Sequence, residues 1–282
     1  MSIRCLGPAI IAASLFLGDV RAADTLPAAE VSRPDTRPAD TSRPVKVFLI
    51  MGQSNAVGMA PVSAAGKGVP LEKAVFEQKL YPFLVDETGH WLERKDVRYT
   101  QVMTGRNGGM NVLINDWLVP KTKTMGIEYG VGAKVGNALE EPVLILKSCI
   151  GNRALGWDLL PPNSESSEYT VKDKKTGTPK TYVYAGYKDP TEKWEKGTEP
   201  AAGGKWYAGK QYDDDVANAK KVLADLGKHY PGADRYEVVG FFWWQGERDC
   251  GDEGHSAMYE KNLVNLIKSL RKDFDAPHAK FV

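Results

Sequence analysis

The chain has 282 residues, of which 42% are hydrophobic and 26% are charged, and this composition is typical of a globular protein with a sizeable core. Lysine and arginine number 37 against 36 for aspartate and glutamate, which gives a net charge of +1. A nucleic-acid-binding protein or a polybasic membrane-binding protein usually carries a clear basic excess, so neither class is indicated.

The N-terminus has the pattern of an export signal. Arg4 precedes an apolar run over residues 6–17, and Val20-Arg21-Ala22 places small residues at the spacing of a cleavage site. The run is too short to span a membrane. We therefore expect a cleaved signal peptide over residues 1–22 and a secreted or periplasmic protein.

A proline-rich segment follows the predicted signal. Residues 23–44 mix four prolines with alternating charges and contain almost nothing to bury, so they predict a disordered linker. A single domain is expected over residues 45–282.

Four short apolar runs predict buried strands, and three helical patterns lie among them. The strands are expected at residues 45–51, 143–147, 238–244 and 280–282, and the helices at residues 128–139, 213–229 and 256–274. Strands joined by helices indicate an α/β fold with a mostly parallel sheet that is covered on both faces. Residues 80–94 add a predicted hairpin that turns at Glu87-Thr88-Gly89.

Residues 157–212 interrupt this alternation. The stretch is polar and rich in glycine and proline, yet it contains Trp157, Trp194, Trp206 and six of the twelve tyrosines. A long insertion is usually functional or disordered, and disordered segments are poor in aromatic residues. We therefore expect an ordered excursion over one end of the sheet, whose aromatics form either a sugar-stacking platform or a small core of the excursion itself.

Polar residues follow three of the predicted strands. The first strand leads into Gly52-Gln53-Ser54-Asn55, the second into Gly151-Asn152, and the third into Gln245-Gly246-Glu247 and then Asp249. In a parallel sheet with helical crossovers, ligands bind at the carboxyl ends of the strands. We therefore expect these three clusters to meet on one rim.

Together the clusters supply the groups that acyl transfer needs. Ser54 is the predicted nucleophile, because a sharp turn before it would expose its hydroxyl group. The predicted oxyanion donors are the backbone N–H groups of Ser54 and Gly151, with the side chains of Asn152 and Gln245. Glu247 is predicted to orient a histidine. The alternatives are structural: a helix cap at Ser54, a plain turn at Gly151-Asn152, and a surface carboxylate at Glu247.

Four segments resemble the motif blocks of a known family. They are FLIMGQSNAVGM, GIE, GNRALGWDLLPP and WWQGERD, and they resemble the SGNH (GDSL-like) hydrolases, in the sialate O-acetylesterase and acetyl-xylan esterase branch called carbohydrate esterase family six. The resemblance covers about residue 45 to the end of the chain. It implies a flavodoxin-like, three-layer α/β/α sandwich and the removal of acetyl groups from sugars without a metal or another cofactor.

The resemblance also implies roles for single residues. Ser54 matches the nucleophile, Gly151 and Asn152 match the oxyanion block, and Gln245 and Glu247 match the block whose glutamate is the acid partner of the histidine in some members. The sequence departs from the family pattern at position 127, where isoleucine stands in place of the usual proline.

The catalytic histidine is the missing part of this pattern. In the family it lies in an Asp-x-x-His motif after the last strand. Asp275-Ala276-Pro277-His278 has this spacing but precedes a predicted strand, so it is expected at the amino end of the sheet, roughly 17–20 Å from Ser54. His255 follows the third strand on the correct rim and is the weaker alternative. We therefore expect the histidine to lie beyond Val282, in a domain truncated at its C-terminus, with an incomplete triad in this chain.

Two functional hypotheses follow. The first is a secreted carbohydrate acetylesterase that acts through a serine acyl-enzyme on an acetylated carbohydrate of xylan, sialate or another type. The second is a non-catalytic carbohydrate-binding protein on an esterase scaffold. Neither hypothesis involves nucleic acid or a membrane span in the mature protein.

Two cysteines remain after removal of the predicted signal. Cys149 and Cys250 both follow strand-like runs, and in an oxidising compartment they either form a disulfide or stay as two buried thiols. No Cys/His spacing resembles a zinc site.

Overall fold

The computed structural model describes residues 37–63, 68–173 and 176–282, so the predicted signal peptide and residues 23–36 of the predicted linker lie outside the described residues. The strands are β1 (Val45–Gly52), β2 (Ala60–Pro61), β3 (Arg94–Thr104), β4 (Met110–Leu118), β5 (Thr124–Met125), β6 (Val143–Ser148), β7 (Ser167–Lys172), β8 (Pro179–Tyr184), β9 (Lys193–Glu195), β10 (Tyr236–Trp244) and β11 (Lys280–Phe281). The α-helices are α1 (Ser54–Val57), α2 (Glu128–Ala138), α3 (Lys210–Ala224), α4 (Leu226–His229), α5 (Glu247–Cys250) and α6 (Glu253–Asp273).

A mixed sheet lies at the centre of the described chain, in the strand order β11-β10-β1-β6-β3-β4. All neighbouring pairs are parallel except β3 and β4, which are antiparallel at one edge. Helices connect the parallel strands, and the predicted α/β class is therefore confirmed.

Strand β1 has apolar residues on both of its faces. Leu49 and Met51 belong to a core cluster that includes residues of α3 and α6. Ile50, which points to the opposite face, belongs to a second cluster that includes Tyr129 of α2. A strand that is buried on both faces reads as a continuous apolar run, which is why β1 is recognisable from sequence.

The predicted helix over residues 213–229 is wrong in its limits. It begins earlier, at Lys210, and is divided into α3 and α4 at Asp225. The backbone of Asp225 leaves helical geometry (φ −115°, ψ 43°), while its N–H still donates to the carbonyl groups of Lys221 and Val222. The apolar stripe continues through both helices, so the pattern does not show this break.

Strands β3 and β4 have no counterpart among the predicted strands. Arg94 and Asp96 of β3 are buried as a bidentate pair, with the Nε–Oδ1 distance at 2.8 Å and the Nη2–Oδ2 distance at 2.6 Å. Arg98 is also buried, and its Nε donates to the carbonyl oxygen of His229 at 2.9 Å. Buried charges that are paired in this way hide the apolar pattern of a strand.

The excursion over residues 157–212 contains a three-stranded antiparallel sheet, in the order β7-β8-β9. It packs against the start of α6, where the hydroxyl group of Tyr184 donates to Asp252 at 2.8 Å and Lys193 binds the same carboxylate. Burial opposes ionisation of Asp252, but the hydrogen bonds from Lys193 and Tyr184 outweigh it and lower the pKa of this carboxyl group to about 2. The excursion is thus fixed to the helix that follows the third motif block.

The end of the predicted linker contacts the domain. Arg43 forms an ion pair with Glu141 at 2.7 Å, and the side chain of Arg235 binds the carbonyl oxygen of Ser42. Ser42 and Arg43, which belong to the predicted linker, therefore contact the folded domain.

The remaining local predictions concern the hairpin and the cysteines. An antiparallel bridge between Val85 and Trp91 closes the hairpin around its predicted turn. Cys149 is buried and Cys250 is exposed, and they do not form a disulfide with each other. Among the described residues, no helix is both long and apolar enough to cross a bilayer.

Candidate active site

Gly52 turns the chain from β1 into the segment that contains Ser54. Its φ is 138°, a value that side-chain-bearing residues rarely adopt. A Cβ atom at this position would lie 2.7 Å from the carbonyl carbon of Trp244 and closer still to its oxygen. Only glycine fits between β1 and β10 here, and the turn places Ser54 at the first residue of α1, partly exposed at the carboxyl end of the sheet.

Gly151 lies directly beside Ser54. A Cβ atom on Gly151 would be 3.5 Å from the Cβ atom of Ser54 and 3.9 Å from its backbone nitrogen. Asn152 follows in the left-handed region (φ 57°), which asparagine tolerates better than most residues, and it is exposed. The backbone of the second motif block therefore passes next to the candidate nucleophile.

Glu247 connects the first and third motif blocks. Its two carboxylate oxygens accept hydrogen bonds from the side-chain amides of Gln53 and Asn55, the residues on either side of Ser54. The carboxylate is thus bonded to the turn around Ser54, whereas the sequence predicted that it orients a histidine.

Gln245 is occupied by structural hydrogen bonds. Its amide nitrogen donates to the carbonyl oxygen of Arg153 at 2.8 Å and to the carboxylate of Asp249. Its amide oxygen accepts from the hydroxyl group of Tyr259 at 3.0 Å. Both amide hydrogens are therefore used within the protein. Gln245 thus stabilises the loop, and it has no free N–H group to donate to an oxyanion.

Two buried carboxylates hold the loop that contains Gly151. Asp249, only 1% exposed, accepts from the backbone N–H groups of Leu155 and Gly156, each at 2.8 Å. Asp158 accepts from the N–H group of Ala154 at 2.8 Å, and burial raises the pKa of this carboxyl group. Asp249 is predicted from sequence to lie on the rim without an assigned role, and Asp158 is not among the predicted site residues, although both lie inside the motif blocks.

None of the four histidines, all of which the structure describes, hydrogen-bonds Ser54. His90 lies in the hairpin, where it contacts Thr88. His278 lines the same cavity as Tyr236, which pairs with Val45, so it lies at the amino end of β10 and β1, as expected. The other two histidines are buried, and their surroundings differ.

His229 ends α4 and lies near β3 and β4, where its Nδ1 is 3.3 Å from the side-chain oxygen of Asn115. Burial lowers the pKa of this imidazole. His229 is therefore a structural residue at a distance from the rim.

His255 lies in the first turn of α6, on the rim side of the sheet. It is 0% exposed, and neither ring nitrogen has a hydrogen-bond partner among the described residues. Its Nδ1 is 3.7 Å from a carboxylate oxygen of Glu192, and its ring packs against Tyr184 and against Gly156, on which a Cβ atom would lie 2.6 Å from the imidazole. The ring is thus enclosed by the excursion and by the loop that Asp249 holds.

Part of the excursion reaches the site through Arg153. The guanidinium group lies 4.5 Å from the centre of the Trp206 ring, and the indole N–H of Trp206 donates to Asp158 at 2.9 Å. One face of Trp206 is therefore covered and its nitrogen is bonded within the protein. This is closer to the second alternative, a small core of the excursion itself.

A buried carboxylate also lies behind the second motif block. Asp215 of α3 is 0% exposed and accepts from the hydroxyl group of Ser148 and from the amide of Gln211, both at 2.8 Å. Its second oxygen has no partner among the described residues, and burial raises the pKa of the carboxyl group to about 7. Asp215 is a polar group in the core directly below the strand end that leads to Gly151.

The site thus combines a hydroxyl group on a tight turn, a neighbouring glycine backbone and a carboxylate that fixes the turn. This arrangement suits attack on a carbonyl carbon, with backbone N–H groups close to the developing oxyanion. Among the described residues, no group of three or more histidine, cysteine, aspartate or glutamate side chains is arranged to hold a metal ion.

The C-terminal third of the chain matches a known family model. Residues 186–282 match the family described as "Carbohydrate esterase, sialic acid-specific acetylesterase". The matched range includes the third motif block with Gln245 and Glu247, and the match confirms the resemblance to SGNH-like carbohydrate esterases. No curated protein matches the chain.

Three solved structures show distant similarity. A protein from Arabidopsis thaliana is 16% identical with a TM-score of 0.42, and the match covers 85% of this chain and 73% of that protein. NanS is 14% identical with a TM-score of 0.44, over 87% of this chain and 67% of NanS. A carbohydrate acetylesterase from Xanthomonas citri is 14% identical with a TM-score of 0.43, over 84% of this chain and 40% of that protein. Similarity at this level adds nothing to the assignment of site residues.

Proposed function

From the family match of residues 186–282 and the geometry around Ser54, we propose that the protein is a secreted carbohydrate acetylesterase that uses a serine acyl-enzyme mechanism. Its substrate is an O-acetylated sugar of the acetyl-xylan or sialate type. The mostly parallel sheet, with α3 and α6 on one core cluster and α2 on the other, supports a three-layer α/β/α arrangement as part of this proposal.

The proposal rests on the position of Gly151 beside Ser54. A Cβ atom added to Gly151 would lie 3.5 Å from the Cβ atom of Ser54. Ser54 Oγ attacks the acetyl carbonyl carbon, the carbonyl oxygen becomes an oxyanion, and the sugar hydroxyl leaves with the proton that Ser54 gave up. Water then adds to the acetyl-enzyme and releases acetate and free Ser54. Each step passes through an oxyanion close to the backbone N–H groups of Ser54 and Gly151 and the side chain of Asn152.

Acetate release tests this proposal. The full chain is incubated with acetylated xylo-oligosaccharides and with O-acetylated sialic acid, and liberated acetate is measured for the wild type, Ser54→Ala and Ser166→Ala. We expect acetate release by the wild type to be slow, because no histidine of the chain hydrogen-bonds Ser54. This release should be lost in Ser54→Ala and retained in Ser166→Ala, whose serine is exposed in the excursion. Equal release by Ser54→Ala and the wild type would show that another residue is the nucleophile.

The histidine geometry favours a second candidate function. Because none of the four histidines hydrogen-bonds Ser54, a carbohydrate-binding protein without esterase activity is the alternative. Glycan binding without acetate release from any of the tested sugars would favour this alternative.

Export is part of the same proposal. It is supported by the charged, apolar and small-residue segments of residues 1–22. N-terminal sequencing of protein recovered from the culture medium or periplasm should begin near Ala23, and a mature chain that begins at Met1 would contradict export by signal cleavage.

A further inference from the structure

Trp244 is the last residue of β10 and lies beside the turn that leads to Ser54. It pairs with Gly52, and its carbonyl oxygen accepts from the backbone N–H of Gln53 at 3.1 Å. Neighbouring strands lie about 4.8 Å apart, and two residues add at most about 7 Å, so the Cα atoms of Trp244 and Ser54 are within about 12 Å of each other. This distance is comparable to the span of one or two sugar rings.

The exposure of Trp244 sets it apart from the other tryptophans. The chain has seven tryptophans, all in the described residues, and Trp244 alone is exposed, at 44%. The neighbouring Trp243 is partly buried in the core, and its indole N–H donates to the hydroxyl group of Tyr259 at 3.1 Å. By contrast, the described part of the chain provides no hydrogen bond and no ring contact to the indole of Trp244.

An exposed indole at this place fits the chemistry of a sugar ring. A pyranose presents a face of C–H groups, which packs on an aromatic ring, and an edge of hydroxyl groups, which can accept from the indole N–H. The three excursion tryptophans are less suited. Trp206 is covered by Arg153 and bonded to Asp158, Trp157 packs against a small apolar cluster, and Trp194 is partly buried.

We propose that Trp244 is the stacking platform for the sugar ring that carries the acetyl group, and that it holds this ring over Ser54. The proposal rests on the proposed function and extends it to the residue that recognises the carbohydrate. Trp244 binds and positions the sugar and takes no part in bond making. Removal of its ring therefore weakens sugar binding even where no ester is present.

Binding of deacetylated sugars tests the platform separately from catalysis. Calorimetric titration of the full chain with xylotetraose and with sialyllactose is carried out for the wild type, Trp244→Ala, Trp244→Phe and Tyr236→Ala. Tyr236 is the matched control, because it lies at the opposite end of the same strand and is also 44% exposed. Circular dichroism and thermal unfolding show that each variant is folded.

We expect binding of at least one sugar to weaken about tenfold in Trp244→Ala, to be largely retained in Trp244→Phe, and to be unchanged in Tyr236→Ala. Sugar should also protect one exposed tryptophan of the wild type, and none in Trp244→Phe, from fluorescence quenching by acrylamide. Equal affinity of folded Trp244→Ala and wild type, or no binding of either sugar by the wild type, would overturn the platform. Neither result would affect acetate release by Ser54, so the two proposals fail separately.

Discussion

Asn55 donates its side-chain amide to the carboxylate of Glu247, although the two residues are 192 positions apart in the sequence. Gln53 donates to the other carboxylate oxygen, so Glu247 holds the residues on both sides of Ser54. A glutamate that the motif pattern associates with a histidine thus joins the start of α5 to the residues on either side of Ser54.

Glu247→Gln should loosen this turn. A glutamine has only one acceptor oxygen, and its NH₂ group would face an amide NH₂ group of Gln53 or Asn55. We expect a loss of about 1 kcal/mol in the free energy of unfolding, because the site is exposed, and a several-fold slower reaction of Ser54 with a serine-directed phosphonate. Glu260→Gln, on the exposed side of α6, is the control. Wild-type labelling rates in Glu247→Gln would show that the contact does not position Ser54.

Gly52→Ala tests the steric argument for the turn. The added Cβ atom would overlap the backbone of Trp244, which cannot move without breaking the pairing of β1 with β10. We expect a loss of about 3 kcal/mol or more in the free energy of unfolding, or failure to fold.

Gly89→Ala is the matched control for Gly52→Ala. Gly89 also has a positive φ, 84°, but nothing lies within 4 Å of its added Cβ atom. The free energy of unfolding of Gly89→Ala should therefore fall by only about 1 kcal/mol, which is the cost of the backbone conformation alone. Equal losses at the two positions, measured by urea denaturation, would show that the contact with Trp244 is not the cause.

Asp249→Asn should disturb the loop that carries Gly151. Asp249 accepts from Leu155, Gly156 and Gln245, and an asparagine would present a donor where one of these donors now binds. We expect a loss of about 2–4 kcal/mol in stability, because the carboxylate is buried and its partners would be left unpaired. Asp234→Asn, whose side chain is 87% exposed, should cost less than about 0.5 kcal/mol in the same denaturation experiment. Similar stabilities of the two variants would contradict the structural role of Asp249.

The buried carboxyl group of Asp215 should make the free energy of unfolding depend on pH. Burial raises the pKa of this group to about 7 in the folded chain, whereas an aspartate in an unfolded chain has a pKa of about 3.9. Between these pH values the folded state binds more protons than the unfolded state, so this group lowers stability as the pH rises from about 4 to about 7. Above that range the full penalty, on the order of a few kcal/mol, is present.

Asp215→Asn should remove this dependence. The free energy of unfolding of the variant should fall less than that of the wild type between pH 4 and pH 8, and the variant should be the more stable of the two at pH 8. Chemical denaturation across this pH range checks the prediction, with Asp234→Asn as a control that keeps the wild-type slope. An unchanged slope in Asp215→Asn would assign the pH dependence to other groups.

The sequence was sufficient for the parts of the fold that have a regular apolar pattern. Strands β1, β6, β10 and β11 and helices α2 and α6 lie close to their predicted positions. Strand β3 does not have this pattern, because the charges of Arg94 and Asp96 neutralise each other inside the sheet. Strand β4 lacks it because it is an edge strand with mostly exposed or half-buried side chains. A pairing between residues two apart on a strand gives no signal in a search for apolar periodicity.

The site shows a similar division. The motif blocks identified Ser54, Gly151 and Glu247, and the structure brings them together. The sequence did not show that Gln245 is bonded on both ends of its amide, or that Glu247 is occupied by Gln53 and Asn55. These contacts depend on how the loops after three different strands approach each other, and motif spacing along the chain does not contain that information.

The prediction for the excursion was also correct only in part. Its aromatic content indicated order, and β7, β8 and β9 form a sheet there. Yet the one exposed tryptophan lies outside it, at Trp244, in a motif block whose predicted functional residues are the glutamine and the glutamate. Whether a residue at the end of a buried strand is exposed depends on the position of the neighbouring turn, which the sequence pattern does not predict.

Covalent labelling of Ser54 tests the central claim most directly. The full chain is treated with a serine-directed fluorophosphonate, digested and analysed by mass spectrometry, in parallel with Ser54→Ala and Ser166→Ala. The account predicts one adduct, on the peptide that contains Ser54, present in the wild type and in Ser166→Ala and absent in Ser54→Ala. An unlabelled wild-type chain, or an adduct that persists in Ser54→Ala, would contradict the assignment of Ser54 as the nucleophile.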